Sequence, residues 1–204
     1  MSPNLYKTLL NRAGSFSSPL KRAMQDIGPV SLPNRRGNSL SRFLSRVVTG
    51  QQLSINAAKS IWRRVEKVTK ENESGIPKFF KDSNLHHLRN CGLSKNKALA
   101  LIEIRKAHEE GNLSPSKLTK MKADERSLQL QKIWGIGQWT ADMTSIFYFG
   151  EQDVWPNGDV TVMKTFARFN QKEIVCEQAE IFVPYRSFLA LYMYEIADQK
   201  LTSS

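Results

Sequence analysis

The stretch KIWGIGQWTAD, residues 132–142, places two glycines two positions apart between two segments with a helical pattern. A glycine in a helix interior costs about 1 kcal/mol relative to alanine, and glycine also weakens a strand. Gly135 and Gly137 therefore predict a very short turn. The apolar spacing on both sides favours helix, so we expect a helix-hairpin-helix element at about residues 125–149.

The rest of the chain carries the same helical pattern. Apolar residues recur at three- and four-residue steps in SLSRFLSRVVTG (39–50), SINAAKSIWRRVEKV (54–68), SKNKALALIEIRKAHEEG (94–111) and PYRSFLALYMYEIAD (184–198). Ser54 and Ser94 suit N-caps, and Pro184 suits the first turn of the last helix. No segment alternates as a strand does. The sequence predicts an all-α fold of one domain or two compact lobes, with a frayed tail at residues 200–204.

The charge of the chain predicts a polyanionic partner. Thirty Lys and Arg residues against nineteen Asp and Glu residues give a net charge of +11. Nucleic acid is the first candidate and an acidic membrane surface the second, although a protein can also be basic without such a partner. Two cysteines are too few for a disulfide framework, and no apolar run approaches the roughly 20 residues that span a membrane. We expect a reduced, intracellular protein.

The glycine turn predicts an anion site. A helix that begins at Gln138 would leave the amides of Gly135, Ile136 and Gly137 free at the positive end of the helix dipole, and a phosphate fits such a place. A plain pair of helices with a glycine turn is the alternative. The net charge of +11 favours phosphate binding.

The segments IWGIGQWTAD and DVWPNGDVTV together resemble the helix-hairpin-helix DNA glycosylase superfamily, most closely its alkylation-repair branch, the 3-methyladenine DNA glycosylase II group. The stretches IGPVSL, GQQLSINAAKSIW and GLSKNKALAL, which precede these segments in the chain, occur in the order expected for that branch. The resemblance extends from about Leu20 to Asp198. It implies one all-α glycosylase domain over residues 1–204, built of two helical lobes, with no N-terminal β domain.

The resemblance assigns the catalytic aspartate to Asp159, which follows a PNG turn and precedes a helix expected to start near Val160. The helix dipole would favour an anionic carboxylate there. An N-cap role alone is the alternative for Asp159, and Asp153 and Asp142 are its rivals for catalysis. Strand-nicking relatives carry a Schiff-base lysine at the position of Trp139, so the resemblance implies a monofunctional enzyme that hydrolyses the N-glycosidic bond and leaves an abasic site.

The resemblance also implies a substrate and its contacts. Cationic alkylated bases of the 3-methyladenine and 7-methylguanine type would flip out of duplex DNA into a pocket formed by Trp139, Tyr194 and Met143. The flipped base leaves a gap in the base stack, and Leu53 is the first candidate to fill it. Gln52 is the second candidate. Leu53 also suits an ordinary core position. The predicted DNA-binding residues are Gly135, Ile136, Gly137, Gln138, Thr140, Gln52, Leu53, Ser54, Lys95 and Lys97.

His86, His87 and His108 have no metal-ligand spacing with the two cysteines, so we expect no catalytic metal or other cofactor. The resemblance implies a monovalent cation at the hairpin. We expect a monomer that acts on damaged double-stranded DNA in the compartment that holds the DNA. Two alternatives stay open. One is a glycosylase for deaminated or mismatched bases, and the other is a helix-hairpin-helix protein that binds DNA without chemistry.

Overall fold

The computed structural model describes residues 1–72, 75–169 and 178–202. These residues form helices, turns and loops and contain no strand, which confirms the predicted all-α class. The helices are α1 (Pro3–Phe16), α2 (Ser18–Ile27), α3 (Leu40–Gly50), α4 (Ile55–Glu71), α5 (Leu85–Asn90), α6 (Lys95–Glu109), α7 (Pro115–Leu118), α8 (Ala123–Gln131), α9 (Gln138–Thr144), α10 (Val160–Ala167) and α11 (Arg186–Thr202). Short 3₁₀ turns span Asp82–Asn84 and Ala179–Phe182, and a π-helical turn spans Ser145–Phe149.

The chain divides into two compact units. The middle unit is one continuous segment, Arg35–Thr144, and the terminal unit combines Met1–Asn34 with Ser145–Ser204. No helix of the described residues is long and apolar enough to cross a membrane.

The core of the terminal unit lies around α11. This helix packs against α10 and α2, while α1 packs against α2. The fully buried residues of this core include Leu9, Met24, Phe166, Leu189 and Met193. The helix begins at Arg186, two residues after the expected Pro184, and Asp153 accepts the backbone amide of Arg186 at 3.3 Å. It continues to Thr202, past the start of the predicted tail, and residues 203–204 lie outside the described residues.

The middle unit is organised around α3, which packs against α4, α6 and α9. Both predicted serine caps are confirmed, since the Ser54 hydroxyl accepts the amide of Ala57 at 3.3 Å and the Ser94 hydroxyl accepts that of Lys97 at 3.2 Å. Helices α8 and α9 pack against each other on either side of the turn at residues 132–137. Helix α9 starts at Gln138, directly after the second glycine.

Candidate active site

Asp159 is a buried carboxylate held at the start of α10. It is the N-cap of that helix, and its Oδ1 accepts the amide of Val162 at 2.9 Å. The PNGD segment makes a tight turn, because the Asp159 amide donates to the carbonyl of Pro156 at 2.9 Å. Only 6% of the residue is exposed. Helix α10 thus fixes the carboxylate at its positive end, where an anion is stabilised.

Tyr194 contacts the other oxygen of this carboxylate. Its hydroxyl donates to Oδ2 of Asp159 at 2.7 Å, and its ring lies 5.9 Å from that of Phe147, tilted by 51°. The sequence predicted Tyr194 as an aromatic wall of the base pocket. The structure adds a hydrogen bond to the candidate catalytic group, so that both oxygens of Asp159 are held by donors.

The two rival aspartates are engaged elsewhere. Asp153 forms a two-pronged ion pair with Arg186, whose Nε and Nη2 donate to Oδ1 at 2.7 Å and Oδ2 at 3.0 Å. Asp142 lies in α9, where its Oδ1 accepts Nε2 of Gln138 at 2.7 Å. Burial raises the pKa of the Asp142 carboxyl from 3.8 to about 6, and the Gln138 hydrogen bond partly opposes that rise.

The two hairpin glycines differ in whether the surrounding structure requires glycine at their positions. Gly135 has φ +87°, and a Cβ at this position would lie 2.4 Å from the Cβ of Ala100. Packing inside the middle unit therefore requires glycine there. Gly137 has an ordinary negative φ, and a Cβ added to it would meet nothing within 4 Å. The intramolecular packing of the described residues therefore does not explain a glycine at position 137.

Gly137 is also where α9 begins. The amide of Ala141 donates to the Gly137 carbonyl at 3.1 Å, which makes Gly137 the N-cap residue. A glycine cap has no side chain to accept the first-turn amides of the helix. An external acceptor such as a phosphate oxygen can take that place.

Some predicted DNA contacts of the hairpin require correction. The Ile136 amide, expected to be free, donates to the carbonyl of Ile133 at 3.0 Å, and the Ile136 side chain is 4% exposed. Thr140 is 1% exposed, and its hydroxyl accepts a hydrogen bond from Gln51. These two side chains support the hairpin from inside, because their positions face the core of the middle unit.

Two polar residues outside the hairpin also have structural partners. The ammonium group of Lys97 donates to the carbonyls of Thr49 at 3.0 Å and Gln51 at 2.7 Å. Burial lowers the pKa of this ammonium group. Lys97 therefore caps the end of α3, a role different from the predicted contact with DNA, and Ser54 caps α4. Lys95, by contrast, is exposed in the first turn of α6.

The loop between α3 and α4 presents the two candidate gap-filling residues. Gln52 is exposed and has φ +54°, the one positive value of a non-glycine residue in the described part of the chain. Leu53 is 39% exposed, so it is not ordinary core. A backbone held in this sparsely populated region is often associated with function.

Sequence reasoning missed Gln51, which joins this loop to the hairpin. Its Nε2 donates to the carbonyl of Gly135 at 3.3 Å and to the hydroxyl of Thr140 at 2.9 Å. The only signal in the sequence was its position beside Gln52 in the GQQLS stretch. A contact across 84 residues has no local pattern to reveal it.

The predicted pocket residues divide between the two units. Tyr194 and Asp159 belong to the terminal unit, whereas Trp139, partly exposed, and Met143, buried, belong to α9 of the middle unit. In the described residues, no three His, Cys, Asp or Glu side chains form a cluster that could hold a metal ion.

Known proteins are similar to this chain in sequence and in fold. The chain is 28% identical to the alkylbase DNA glycosidase-like protein mag2 of Schizosaccharomyces pombe over 199 residues, which cover 94% of this chain and 93% of that protein. It is 29% identical to DNA-3-methyladenine glycosylase 1 of the same yeast over 185 residues, which cover 86% and 80% of the two proteins. These similarities support the resemblance to the helix-hairpin-helix DNA glycosylase superfamily that the sequence motifs indicated.

A solved structure has a similar fold. The Schizosaccharomyces pombe 3-methyladenine DNA glycosylase Mag1, in complex with abasic DNA, matches with a TM-score of 0.80 and 24% identity over 93% of this chain and 96% of that one. No protein-family model matches the chain. The names of the two yeast relatives are those of alkylation-repair glycosylases, in agreement with the branch that the sequence motifs resemble.

Proposed function

We propose that this chain is a monofunctional DNA glycosylase that removes alkylated bases from double-stranded DNA and leaves an abasic site. The observation that carries the proposal is the Asp159 carboxylate, buried at the start of α10 and held on both oxygens by Val162 and Tyr194. It stands in a chain whose relatives are named for 3-methyladenine excision.

The carboxylate suits the charge that develops in this reaction. As the N-glycosidic bond breaks, its electrons leave with the base and C1′ of the sugar becomes an oxocarbenium-like cation. A fixed anion stabilises that cation more than it stabilises the neutral ground-state sugar. Water then adds to C1′ and gives up a proton, which Asp159 can accept. An alkylated purine already carries positive charge, so it leaves without a strong general acid.

Trp139 supports the monofunctional assignment. The position carries no amine that could form a Schiff base with C1′, and its ring suits stacking on a cationic base. Tyr194 and Met143 complete the proposed set of pocket residues. We expect faster release of 3-methyladenine or 7-methylguanine than of hypoxanthine or uracil.

DNA binding is assigned to the middle unit. The hairpin amides beside Gly137 would hold a phosphate, with Lys95 as a neighbouring cation and the exposed Gln52 and Leu53 as the side chains that fill the gap. The carbonyls of Ile133 and Gly135 each accept one hydrogen bond and keep a second lone pair, so the hairpin fits the expected monovalent cation. We infer a monomer that works wherever its DNA substrate lies.

A base-release assay tests the proposal. Duplexes that carry one 7-methylguanine, hypoxanthine, uracil or mismatched base are incubated with the protein, and released base and strand integrity are measured. We expect release of 7-methylguanine from an intact strand that breaks only after alkali. Asp159→Asn should abolish release and leave the affinity for DNA within a few-fold, whereas Asp142→Asn, the matched buried carboxylate, should retain activity.

Three results would contradict the proposal in different ways. Preferred release of hypoxanthine or uracil would change the lesion class. Binding without release of any base would indicate a non-catalytic DNA-binding protein. A covalent adduct trapped by borohydride would require an amine nucleophile and would refute the monofunctional assignment.

A further inference from the structure

Gln51 lies where two candidate DNA-contacting elements of the middle unit meet. Its backbone belongs to the end of α3, one residue before the exposed Gln52 and two before Leu53. Its side-chain amide reaches the hairpin, where it donates to the Gly135 carbonyl at 3.3 Å and the Thr140 hydroxyl at 2.9 Å. One half-buried residue is thus shared by the loop and the hairpin.

Hydrogen bonds from α6 hold the backbone of Gln51 in place. The Lys97 ammonium group donates to the Thr49 and Gln51 carbonyls, two of the acceptors that the end of a helix leaves open. The Gln51 amide donates to the carbonyl of Val48 at 3.2 Å. Because both its carbonyl and its amide are bound, Gln51 cannot turn away without the loss of several hydrogen bonds.

Helix α6 also supports the hairpin, through packing rather than hydrogen bonds. The Cα of Gly135 packs so closely on Ala100 that no larger residue fits there. Lys97 and Ala100 lie three residues apart, on one face of α6. The loop and the hairpin therefore rest on a common helix and are joined to each other through the amide of Gln51.

We infer that Gln51 is a positioning residue for base flipping. It sets the distance between the phosphate held by the hairpin and the loop side chains that enter the gap left by the flipped base. This inference rests on the proposed function. It predicts that loss of the Gln51 amide uncouples flipping from phosphate binding, because each element keeps its own structure while the link between them is lost.

The test uses Gln51→Leu, which keeps the size of the side chain and removes both hydrogen bonds. Flipping is measured by the fluorescence of 2-aminopurine placed beside a 7-methylguanine, and the affinity for undamaged duplex by anisotropy. We expect affinity within about twofold of wild type, and flipping and single-turnover excision each about tenfold lower, the equivalent of one net hydrogen bond. Gln25→Leu, at an exposed glutamine of α2, is the matched control and should change neither.

Two further variants keep the test informative if Gln51→Leu fails to fold. Gln51→Asn retains the amide but is one methylene too short to reach Thr140, and it should reproduce the flipping defect. Thr140→Val removes the acceptor hydroxyl and keeps the shape of the side chain. Combined with Gln51→Asn it should add no further loss, because both changes break the same contact.

The outcomes separate this inference from the proposed function. If wild-type protein binds DNA but flips and releases no base, the proposed function fails. If wild type flips the base and Gln51→Leu flips it equally well, the inference about Gln51 is wrong. A parallel fall of undamaged-DNA affinity and flipping would also overturn it, since Gln51 would then support only the phosphate-binding hairpin.

Discussion

At the scale of single residues, Tyr194 and Asp159 form the pair on which the proposed chemistry depends most directly. Stacking alone would make Tyr194→Phe a mild change, because the ring remains. The hydroxyl, however, donates to Oδ2 of Asp159 at 2.7 Å, and hydrogen bonds to charged acceptors are among the stronger ones. We expect Tyr194→Phe to lower single-turnover excision at least about tenfold.

The affinity for undamaged duplex and the melting temperature of Tyr194→Phe should stay near wild type. Tyr6→Phe provides the control, because the Tyr6 hydroxyl of the same unit donates to the carbonyl of Met24 and lies outside the site. Equal excision by Tyr194→Phe and wild type would return Tyr194 to a stacking role alone.

Asp142 gives a second prediction for a single residue, on stability. Its folded pKa of about 6 lies above the unfolded value of 3.8, so the folded protein binds this proton more tightly. The folded state is therefore favoured at low pH, loses stability as pH rises from about 4 to 6, and stays weaker above that range.

Asp142→Asn keeps an oxygen acceptor for Gln138 and removes the ionisation. We expect this variant to be more stable than wild type at pH 7.5, with a difference that narrows toward pH 4. Denaturant unfolding at the two pH values measures this. A stability difference that is independent of pH would show that Asp142 does not titrate in this range.

At the scale of elements, we expect the two glycines of the helix-hairpin-helix to affect different properties. Gly135 should affect folding, and Gly137 should affect DNA binding. Gly135→Ala should lower the melting temperature, because the new methyl group would clash with Ala100 and φ is +87°. A Cβ at position 137 would meet no neighbour within 4 Å, so we expect Gly137→Val to fold. Its side chain would block a phosphate, and the affinity for all DNA should fall about tenfold, a loss comparable to one charge-assisted hydrogen bond.

Thermal melting and anisotropy on undamaged and damaged duplexes decide between these effects. A loss of affinity confined to one lesion would contradict a phosphate-binding role of Gly137. Unchanged affinity for every duplex would remove the anion site from the hairpin.

Local signals accounted for the elements, and tertiary contacts accounted for what sequence reasoning missed. The serine caps, the turn at Gly135 and the helix after Asp159 each follow from a few adjacent residues. The Tyr194 hydrogen bond to Asp159 joins positions 35 apart, and the Gln51 contact spans 84. Burial of Ile136 and Thr140 was missed because a motif indicates which residues are present and not which face the core.

At the scale of the whole molecule, the net charge of +11 should appear as salt dependence. Each phosphate neutralised by a lysine releases counterions, so the affinity for undamaged duplex should fall steeply as salt rises. Lys95→Ala should lower the slope of log affinity against log salt by about 1. Lys97→Met should leave the slope unchanged, since that ammonium group binds the carbonyls at the end of α3. A flat salt dependence in wild type would assign the charge to another purpose.

The division of the chain also sets an order of events during synthesis. The middle unit is continuous and has left the ribosome once residue 144 has emerged, so it can fold while translation proceeds. The terminal unit needs Leu9 and Met24 from the beginning of the chain and Leu189 and Met193 from the end. Asp159 and Tyr194 belong to this later unit. A nascent or prematurely terminated chain could thus acquire the hairpin before it acquires the carboxylate proposed for catalysis. Such a chain would have the proposed DNA contacts of the hairpin without the proposed glycosylase activity.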